Sequence, residues 1–344
     1  MTHRFYCCLL FSVLSYAQAK QPFRIVFWNT ENTFDIYDTP HKKDADFTPE
    51  SDRKWTFWRY RKKLIAITQT LIATGEGTPP ALIGLCEIAG DSVMPNLQRL
   101  TPLYRLGYRY LITDAPDERG INIALLYRRH QFKLLNHQSI RITLPKPYRP
   151  TRDILHVCGL ISPTDTLDIF VCHFPSRYGG ERATRKARQI ANQTLRHHLD
   201  SLSVKRILPR FLIMGDFNDY PNCANQTIYL GVQKETNAQS HDILKNKNTH
   251  PVILYNAMSA LDRQKGSHKY NGQWGYLDQF IVSHTLMQTS ASPYITQARV
   301  FEAPFLLTDD TKYFGHRPKR TYYGYRYEEG ASDHLPILID IRWK

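Results

Sequence analysis

Hydrophobic residues along the chain fall mostly into short continuous runs, which polar and turn-forming stretches separate. Runs of this length, rich in β-branched and aromatic residues, are typical of strands that are buried on both faces. The predicted strands are Arg24–Trp28, Ala81–Leu85, Ile121–Tyr127, Asp168–Cys172, Phe211–Met214, Leu277–Val282 and Leu335–Ile341. The pattern therefore predicts mixed β-sheets at the centre of the fold.

Two longer segments repeat apolar residues at the spacing of a helix. The first runs from about Pro49 to Ala73, with Thr48 as its cap. Its inward face is expected to hold Trp55, Trp58, Ile65, Leu71 and Ile72, and its outward face Arg53, Lys54, Arg59, Arg61, Lys62 and Lys63.

The second predicted helix runs from about Glu181 to Leu202. Its inward residues are expected to be Ala183, Ala187, Ile190, Ala191, Leu195 and Leu199, and the basic residues of its first turns Arg182, Arg185, Lys186 and Arg188. Strands outnumber helices, which predicts two packed sheets with helices on the outside.

Residues 1–19 have the pattern of a secretory signal peptide. The basic Arg4 precedes an apolar stretch that is too short for a membrane span, and Ala17-Gln18-Ala19 has the small-x-small form of a cleavage site. We therefore expect an exported protein, periplasmic or extracellular. Its mature chain, residues 20–344, is expected to form one domain and to be a monomer.

Four cysteines follow that leader, and their spacing matches neither a disulfide framework nor a zinc site. They are Cys86, Cys158, Cys172 and Cys223. The first three lie in strand-like apolar runs, so they are predicted to be small buried side chains.

The composition bounds the partners without choosing one. A hydrophobic fraction of 42% is enough for a substantial core, and the formal net charge is +14 at pH 7. Such an excess of positive charge favours polyanions, whether nucleic acid, an anionic membrane surface or an acidic polysaccharide.

Polar residues follow several of the predicted strands directly. The best example is Gly215-Asp216-Phe217-Asn218, in which Phe217 turns to the core and the two polar side chains share one face. A carboxylate can ligate a divalent cation and a carboxamide can donate to a phosphate oxygen. Taken alone, the tetrapeptide is more typical of a β-turn, in which Asp and Asn bond to the local backbone. Similar strand ends recur at Asn29, Glu87, His173, Asp278 and Asp333-His334.

Taken in order, these segments resemble the endonuclease/exonuclease/phosphatase family. The resemblance rests on Trp28-Asn29, Glu87, Arg119-Gly120, Ala124-Leu125-Leu126-Tyr127, His173, Gly215-Asp216-Phe217-Asn218, Leu277-Asp278 and Ser332-Asp333-His334. It implies an α/β fold of four layers, a sandwich of two packed mixed β-sheets flanked by helices, like that of deoxyribonuclease I. It also implies a divalent-metal-dependent hydrolase.

The resemblance implies a role for each matched residue. Glu87 would ligate Mg²⁺, Mn²⁺ or Ca²⁺, Asn29 would hold that carboxylate or share the metal site, and Asp333 would lie on the metal side. His334 would be the general base, oriented by Asp278. Asp216 and Asn218 would position water and phosphate, and His173 would donate to the phosphate or protonate the leaving group. Tyr127, Arg152 and Arg177 would contact phosphate.

The substrate stays open at this stage. The segment Ser267–Asp278 resembles the approach to the catalytic Asp in secreted bacterial nucleases, which favours a nuclease. DNA is the favoured substrate, and RNA stays open. The alternatives are a phospholipid or an inositol or sugar phosphate, and a polyanion-binding protein without catalysis. The tyrosine-rich segment Tyr322–Tyr327 could stack bases, insert into a membrane or pack as an ordinary loop.

Overall fold

The computed structural model describes residues 21–233, 252–262, 265–296 and 298–344, so the predicted leader lies outside the described residues. The α-helices are α1 (Phe57–Ala73), α2 (Val93–Arg99), α3 (Glu181–Ser203) and α4 (His284–Met287). The strands are β1 (Phe23–Phe34), β2 (Leu82–Ala89), β3 (Tyr108–Ile112), β4 (Ile121–Arg128), β5 (Lys133–Ile140), β6 (Ile154–Leu160), β7 (Thr166–His173), β8 (Phe211–Asp216), β9 (Val232–Gln233), β10 (Leu254–Asn256), β11 (His268–Tyr270), β12 (Gln273–Gly275), β13 (Asp278–Ser283), β14 (Tyr294–Ile295), β15 (Arg299–Val300), β16 (Leu307–Asp309), β17 (His316–Pro318), β18 (Tyr322–Tyr323), β19 (Arg326–Tyr327) and β20 (Ile337–Arg342). Within these ranges, no helix has the length and apolar character needed to cross a membrane.

Most of these strands form two seven-stranded mixed sheets. Sheet A has the order β14-β20-β1-β2-β4-β3, with β15 also paired to β20, and its one parallel pair is β1 with β2. Sheet B has the order β5-β6-β7-β8-β13-β10-β9, in which β7 and β8 run parallel. Three short hairpins, β11-β12, β16-β17 and β18-β19, lie outside both sheets.

The three largest parts of the core stack in the order of the layers. Side chains of both sheets meet in the central part, among them Phe27, Val171 and Met214. The other face of sheet A packs against α1 and α2, and the other face of sheet B packs against α3. Four layers result, two mixed sheets between helices, which confirms the predicted fold class.

The start predicted for α1 was wrong. The helix begins at Phe57 rather than Pro49, and residues 49–56 form turns. Trp58 is 71% exposed, although it was predicted to face inward, whereas Lys63 is only 2% exposed, although it was predicted to face water. The spacing of apolar residues predicted a longer helix because Trp55 packs in the same part of the core as α1, although it lies before the first residue of the helix.

The basic face predicted for α3 also needs one correction. Arg188 is fully buried, because its guanidinium pairs with Asp219 at 2.9 Å and donates to the Thr184 hydroxyl at 2.7 Å. Ala183, predicted to face inward, is exposed. The remaining basic residues of the first turns, Arg182, Arg185 and Lys186, are exposed as predicted.

The predicted strands all exist, and several continue into the polar residues that follow them. β1 and β2 reach as far as Phe34 and Ala89, so that Asn29 and Glu87 lie within strands rather than beyond them. Sequence reasoning did not predict β5 and β6, the edge of sheet B. Cys86, Cys158 and Cys172 are buried and free, as predicted, and Cys223 is half-buried and free.

Candidate active site at the strand ends of the two sheets

The register of sheet B brings three polar side chains into one row. β7 and β8 are parallel with His173 opposite Asp216, and β8 and β13 are antiparallel with Asp216 opposite Asp278. Neighbours in register point to the same face of a sheet. The sequence separation of these residues is large, but the pairing makes them adjacent, and all three are buried.

Sheet A contributes Asn29 and Glu87 through an irregular stretch of β1 and β2. The pairing shifts register after Asn29 and Cys86, and Glu87 has a φ of 62°. A bulge of this kind turns a side chain away from its regular direction. The Glu87 carboxylate is held there by the backbone N–H of Asn32, at 2.7 Å.

The Asn29 side chain connects the two sheets. Its Oδ1 accepts from the backbone N–H of Glu31 at 2.9 Å, so its Nδ2 is the atom that faces the site. That nitrogen donates to Glu87 at 3.4 Å and to Asp216 at 3.1 Å. Asn29 therefore holds two carboxylates close together, and its oxygen is already engaged.

His334 and Asp278 form a buried pair beside Asp216. The Nδ1–H of His334 donates to Oδ2 of Asp278 at 2.7 Å, and Nε2 of His334 lies 4.0 Å from Oδ2 of Asp216. The Ser267 hydroxyl also donates to Asp278 Oδ2, at 2.5 Å. The tautomer of His334 is thereby fixed, and its second nitrogen is left facing the carboxylates.

The segment Gly215-Asp216-Phe217-Asn218 is both a turn and part of the site. Oδ1 of Asp216 accepts from the backbone N–H of Asn218 at 2.9 Å, and Asn218 has a φ of 51°. The Asn218 Nδ2 donates to the carbonyl of Phe174 at 3.1 Å. The local turn therefore uses one oxygen of Asp216 and leaves Oδ2 for Asn29 and the two histidines.

His173 is buried at the end of β7, between the carboxylates of both sheets. Its Nε2 lies 3.8 Å from Glu87 Oε1 and 3.8 Å from Asp216 Oδ2, and its Nδ1 has no hydrogen-bond partner among the described residues. Burial and the positive charge of Arg152 hold the pKa of His173 well below its usual range. The ring is therefore neutral at physiological pH.

The remaining pKa values are set by burial and by the crowding of charge. Burial and the neighbouring Asp278 raise the pKa of Asp216 to about 6. Burial lowers the pKa of His334, but the charge and hydrogen bond of Asp278 outweigh it and raise the pKa to about 10. For His268, whose ring centroid is 4.6 Å from that of His334, burial and the charge of His334 lower the pKa to about 4.

A second charged network lies next to this cluster and was not predicted. Glu31 is buried against Lys63 and Arg320, and Arg320 also pairs with Asp333. Lys63 donates to the carbonyl of Glu31 and, at 2.7 Å, to the Thr321 hydroxyl. Burial and Asp333 raise the pKa of Glu31 to about 7, whereas burial lowers that of Lys63 to about 8. The network fixes the backbone that positions Asn29 and Glu87.

Asp333 lies between that network and His334. Its Oδ1 is 3.9 Å from Nε2 of His334, while its other oxygen accepts from Arg320. Burial raises the pKa of Asp333, but the charges of His334 and Arg320 outweigh it and lower the pKa. The structure thus places Asp333 on the His268 and His334 side of the cluster.

Three residues expected to contact phosphate occupy other positions. Tyr127 lies opposite Leu82, at the far end of sheet A, because β4 runs antiparallel to β2 and brings its Ile121 end towards Glu87. Its ring packs on Phe132, with centroids 5.8 Å apart, and the assignment of Tyr127 to the site was therefore wrong.

Arg152 and Arg177 both donate to backbone carbonyls next to the site. Arg152 is buried, donates to the carbonyl of Phe174 at 2.7 Å and pairs with Asp117 at 3.3 Å. Arg177 donates to the carbonyl of Asn218 at 2.7 Å, and its guanidinium lies 4.4 Å from the centroid of the Tyr220 ring. Arg152 therefore holds the backbone that follows His173, and Arg177 holds that of Asn218.

Sequence reasoning did not assign roles to Glu31, Lys63, Ser267, His268 or Arg320. Ser267 and His268 lie in the segment that approaches Asp278, so the sequence placed them near the site. It did not show that they contact Asp278 and His334. Lys63 sits in a run of basic residues that reads as a solvated helix face, and only tertiary packing shows that it is buried.

The donor set fits a divalent cation. Glu87 and Asp216 both approach the Asn29 amide, and within the described part of the chain neither forms an ion pair with a lysine or an arginine. Asp216, Asp278 and His334 also offer atoms within 4.8 Å of one another, as do His268, Asp333 and His334. Hard carboxylate oxygens such as these are the ligands that Mg²⁺ and Mn²⁺ prefer.

The chain matches a family model and several solved structures over nearly its whole length. Residues 24–343 match the model of the Endonuclease/Exonuclease/phosphatase family. No curated protein matches the chain. Among solved structures, the catalytic domain of human Nocturnin with bound sulfate anion has a TM-score of 0.53 and 18% identity, with 94% of this chain and 96% of that one covered.

Two further structures are similar over nearly the whole chain. The mannosyl-6-phosphatase of Bacteroides thetaiotaomicron VPI-5482 has a TM-score of 0.56 and 14% identity, covering 93% of this chain and 100% of that one. Truncated TDP2 of Caenorhabditis elegans has a TM-score of 0.54 and 12% identity, covering 93% and 97%. At these identities the likeness concerns the fold.

Proposed function

The chain belongs to the endonuclease/exonuclease/phosphatase family, and from that premise we propose that it is a divalent-metal-dependent phosphodiesterase that hydrolyses nucleic acid. DNA is the favoured substrate, cleaved internally with low sequence specificity. The observation that carries the proposal is the His334 and Asp278 pair, whose free imidazole nitrogen faces Asp216, the carboxylate that the Asn29 amide links to Glu87. A binding module would have no use for an oriented imidazole beside a metal-binding carboxylate pair.

The chain's own groups can be assigned to an in-line hydrolysis. The oxygen of a water attacks phosphorus, its proton passes to Nε2 of His334, and the bond from phosphorus to the leaving oxygen breaks. The leaving oxygen takes a proton from solvent, and the imidazolium returns its proton to solvent. Asp278 holds His334 in the required tautomer and stabilises the imidazolium that forms. Asp216 Oδ2, 4.0 Å from the same nitrogen, is placed to orient the water.

His173 has a different task from His334. Because burial keeps its ring neutral, it is a hydrogen-bond donor to a phosphoryl oxygen rather than an acid strong enough to protonate the leaving group. Asn218 and Arg177 fix the adjacent backbone and so keep Asp216 in place.

Glu87 and Asp216, held by Asn29, are the residues that would bind the metal. A bound divalent cation would polarise a phosphoryl oxygen and, by opposing the imidazolium, lower the pKa of His334 towards the working pH. Asp333, on the other side of His334, completes the acidic surroundings.

The preference for nucleic acid rests on charge around the site. The net charge is +14, and Arg182, Arg185 and Lys186 are exposed on the first turns of α3, which follow directly after the loop that carries Arg177. Such a surface attracts a phosphate backbone.

The test is a panel of substrates with and without EDTA, using the purified protein and its His334→Gln variant. We expect cleavage of plasmid DNA or RNA that EDTA abolishes, that Mg²⁺ or Mn²⁺ restores, and that His334→Gln lacks. Hydrolysis of sphingomyelin or mannose 6-phosphate without cleavage of DNA or RNA would overturn the substrate. Activity that survives EDTA would overturn the metal dependence.

Export and the monomeric state belong to the same proposal. Cell fractionation should find the protein outside the cytoplasm, with a mature chain that begins near Lys20, as the pattern of residues 1–19 predicts. Sedimentation of the purified protein should give the mass of one chain. Retention in the cytoplasm with residues 1–19 intact would contradict the first expectation.

A further inference from the structure

A pocket of about 340 Å³ opens beside the catalytic cluster, and the roles assigned so far leave it without a function. Its wall consists of the hairpin β11-β12, the segment between β16 and β17, and the tyrosine-rich segment from Arg320 to Arg326. Asp333 is shared by the pocket and the cluster, and its Oδ1 lies 3.9 Å from Nε2 of His334. A group bound here would therefore lie next to the atom assigned to accept the proton of water.

The wall is tied together by specific contacts. Lys269, 5% exposed in its side chain, pairs with Asp310 at 2.8 Å and donates to the carbonyls of Phe314 and His316 at 2.9 and 3.1 Å. The Tyr313 hydroxyl donates to Oδ1 of Asn271 at 3.1 Å. These bonds hold the segment between β16 and β17 against β11-β12, so the pocket is a built cavity.

The charge of the pocket is positive. Five cationic and two acidic side chains line it. Arg317 and Arg326 share the single carboxylate of Glu328, and Lys269 and Arg320 have partners in Asp310 and Asp333. Lys312 forms no ion pair within the part of the chain that the structure describes, and its ammonium lies 5.0 Å from the centroid of the Tyr313 ring. An anionic ligand would supply the missing negative charge.

The pocket also offers an aromatic surface. The Tyr323 side chain is 49% exposed, and the guanidinium groups of Arg317, Arg320 and Arg326 lie 5.5, 5.9 and 5.9 Å from its ring centroid. Tyr270, on the opposite wall, is 68% exposed. Exposed tyrosines surrounded by cations suit a ligand that carries a planar ring together with phosphate.

We propose that this pocket is a subsite for the nucleotide next to the scissile phosphodiester, with its base stacked on Tyr323 and its phosphate paired with Lys312. The proposal rests on the proposed function, because it assigns the pocket to the same substrate. It gives the tyrosine-rich segment a role in substrate selection.

The first test measures binding without cleavage. A fluorescent single-stranded DNA tetranucleotide is titrated into the His334→Gln protein, alone or combined with Tyr323→Leu or Lys312→Glu, and anisotropy is recorded. We expect each added substitution to weaken binding about tenfold, and Tyr323→Phe to keep it, because stacking needs the ring and not the hydroxyl. Unchanged binding in both added variants would overturn the proposal.

Two matched controls exclude general effects. Tyr325→Leu removes a tyrosine from the same segment that does not line the pocket, and Lys133→Glu reverses a charge beside Phe132, at the far end of the sheets. Neither should change the anisotropy titration by more than twofold. An equal loss of affinity in Lys133→Glu and Lys312→Glu would show that net charge alone governs binding, and would overturn the contact between Lys312 and the phosphate.

Competition separates the base from the phosphate. AMP should displace the labelled tetranucleotide at concentrations about tenfold lower than mannose 6-phosphate, which carries a phosphate and no base. Equal competition would overturn the stacking. If the unmodified protein cleaves neither DNA nor RNA, the proposed function fails, and the same binding results still decide whether the pocket takes a nucleotide.

Discussion

The Nδ1–H of His334 donates to Oδ2 of Asp278 at 2.7 Å, and Asp278 is completely buried. The two residues are far apart in the sequence. Asp278 begins β13 of sheet B, and His334 precedes β20 of sheet A. Their pairing orients the imidazole and also favours its protonated form, so the same contact governs both the geometry and the pH response of the site.

Replacing Asp278 by Asn should therefore act through His334. The hydrogen bond would lose its charge, and the rate of hydrolysis should fall by about 10²- to 10⁴-fold, the range of general acid–base catalysis. Single-turnover kinetics of the purified variant on plasmid DNA would measure it. His197→Gln, a substitution of an exposed histidine on α3, should leave the rate unchanged. A loss smaller than threefold in Asp278→Asn would contradict the assigned role.

The pKa of His334 predicts a pH effect on stability. Its pKa in the folded state, about 10 with metal chelated, lies above the ordinary histidine value of about 6.5. The stabilisation is therefore fully present below about pH 6.5 and is lost as the pH rises through about 10. Urea unfolding in EDTA from pH 6 to 10.5 should show this loss in the unmodified protein and a smaller one in His334→Gln. Parallel curves of unfolding free energy against pH for the two proteins would rule out this contribution of His334.

The same histidine can be followed directly by NMR. Adding Mg²⁺ should lower the pKa of the His334 imidazole, because a divalent cation at Glu87 and Asp216 opposes the imidazolium. A pKa that stays fixed when Mg²⁺ saturates the protein would place the metal elsewhere.

Lys63 should be necessary for stability, whereas its neighbour is not. Lys63→Met removes the buried ammonium that donates to the Glu31 carbonyl and the Thr321 hydroxyl, and should lower the free energy of unfolding by about 2 kcal/mol, the cost of leaving buried polar groups without a partner. Lys62→Met removes an exposed, solvent-screened ion pair with Glu329 and should leave the free energy of unfolding nearly unchanged. Urea unfolding at pH 7 compares the two. Equal effects would mean that Lys63 has no structural role.

Gly215 and Gly84 offer a comparison of two close approaches. A Cβ on Gly215 would lie 2.4 Å from the carbonyl oxygen of Cys172, whereas one on Gly84 would meet the end of the flexible Met214 side chain at 2.8 Å. Gly215→Ala should therefore destabilise by about 2 kcal/mol more than Gly84→Ala and should also displace Asp216. Thermal unfolding and activity assays would test this, and the reverse order of stability would refute it.

Part of this arrangement could be predicted from the sequence because strand ends are local. The apolar runs before Asn29, Glu87 and Asp216 predict strands, and these three polar residues predict the strand ends where the site lies. The bulge that turns Glu87, with its φ of 62°, has no such local signature. Neither has the burial of Lys63, since the sequence shows three basic residues close together and only packing distinguishes among them.

Tyr127 shows why order along the chain is not enough. Its distance in sequence from Glu87 fits the pattern, but the antiparallel pairing of β4 with β2 places it at the opposite end of sheet A. Strand direction depends on contacts between distant segments, and those contacts are absent from any single window of sequence.

The pairing of β1 with β20 carries a consequence for biosynthesis. Phe23 lies opposite Ile341, and His334 is followed at once by the strand that makes this pairing. A nascent chain that has emerged only as far as Asp278 holds Glu87 and Asp216 but lacks His334, the residue proposed as the base. With that role, hydrolysis begins only after His334 has been translated and β20 can pair with β1, which separates synthesis of the polypeptide from the onset of its chemistry.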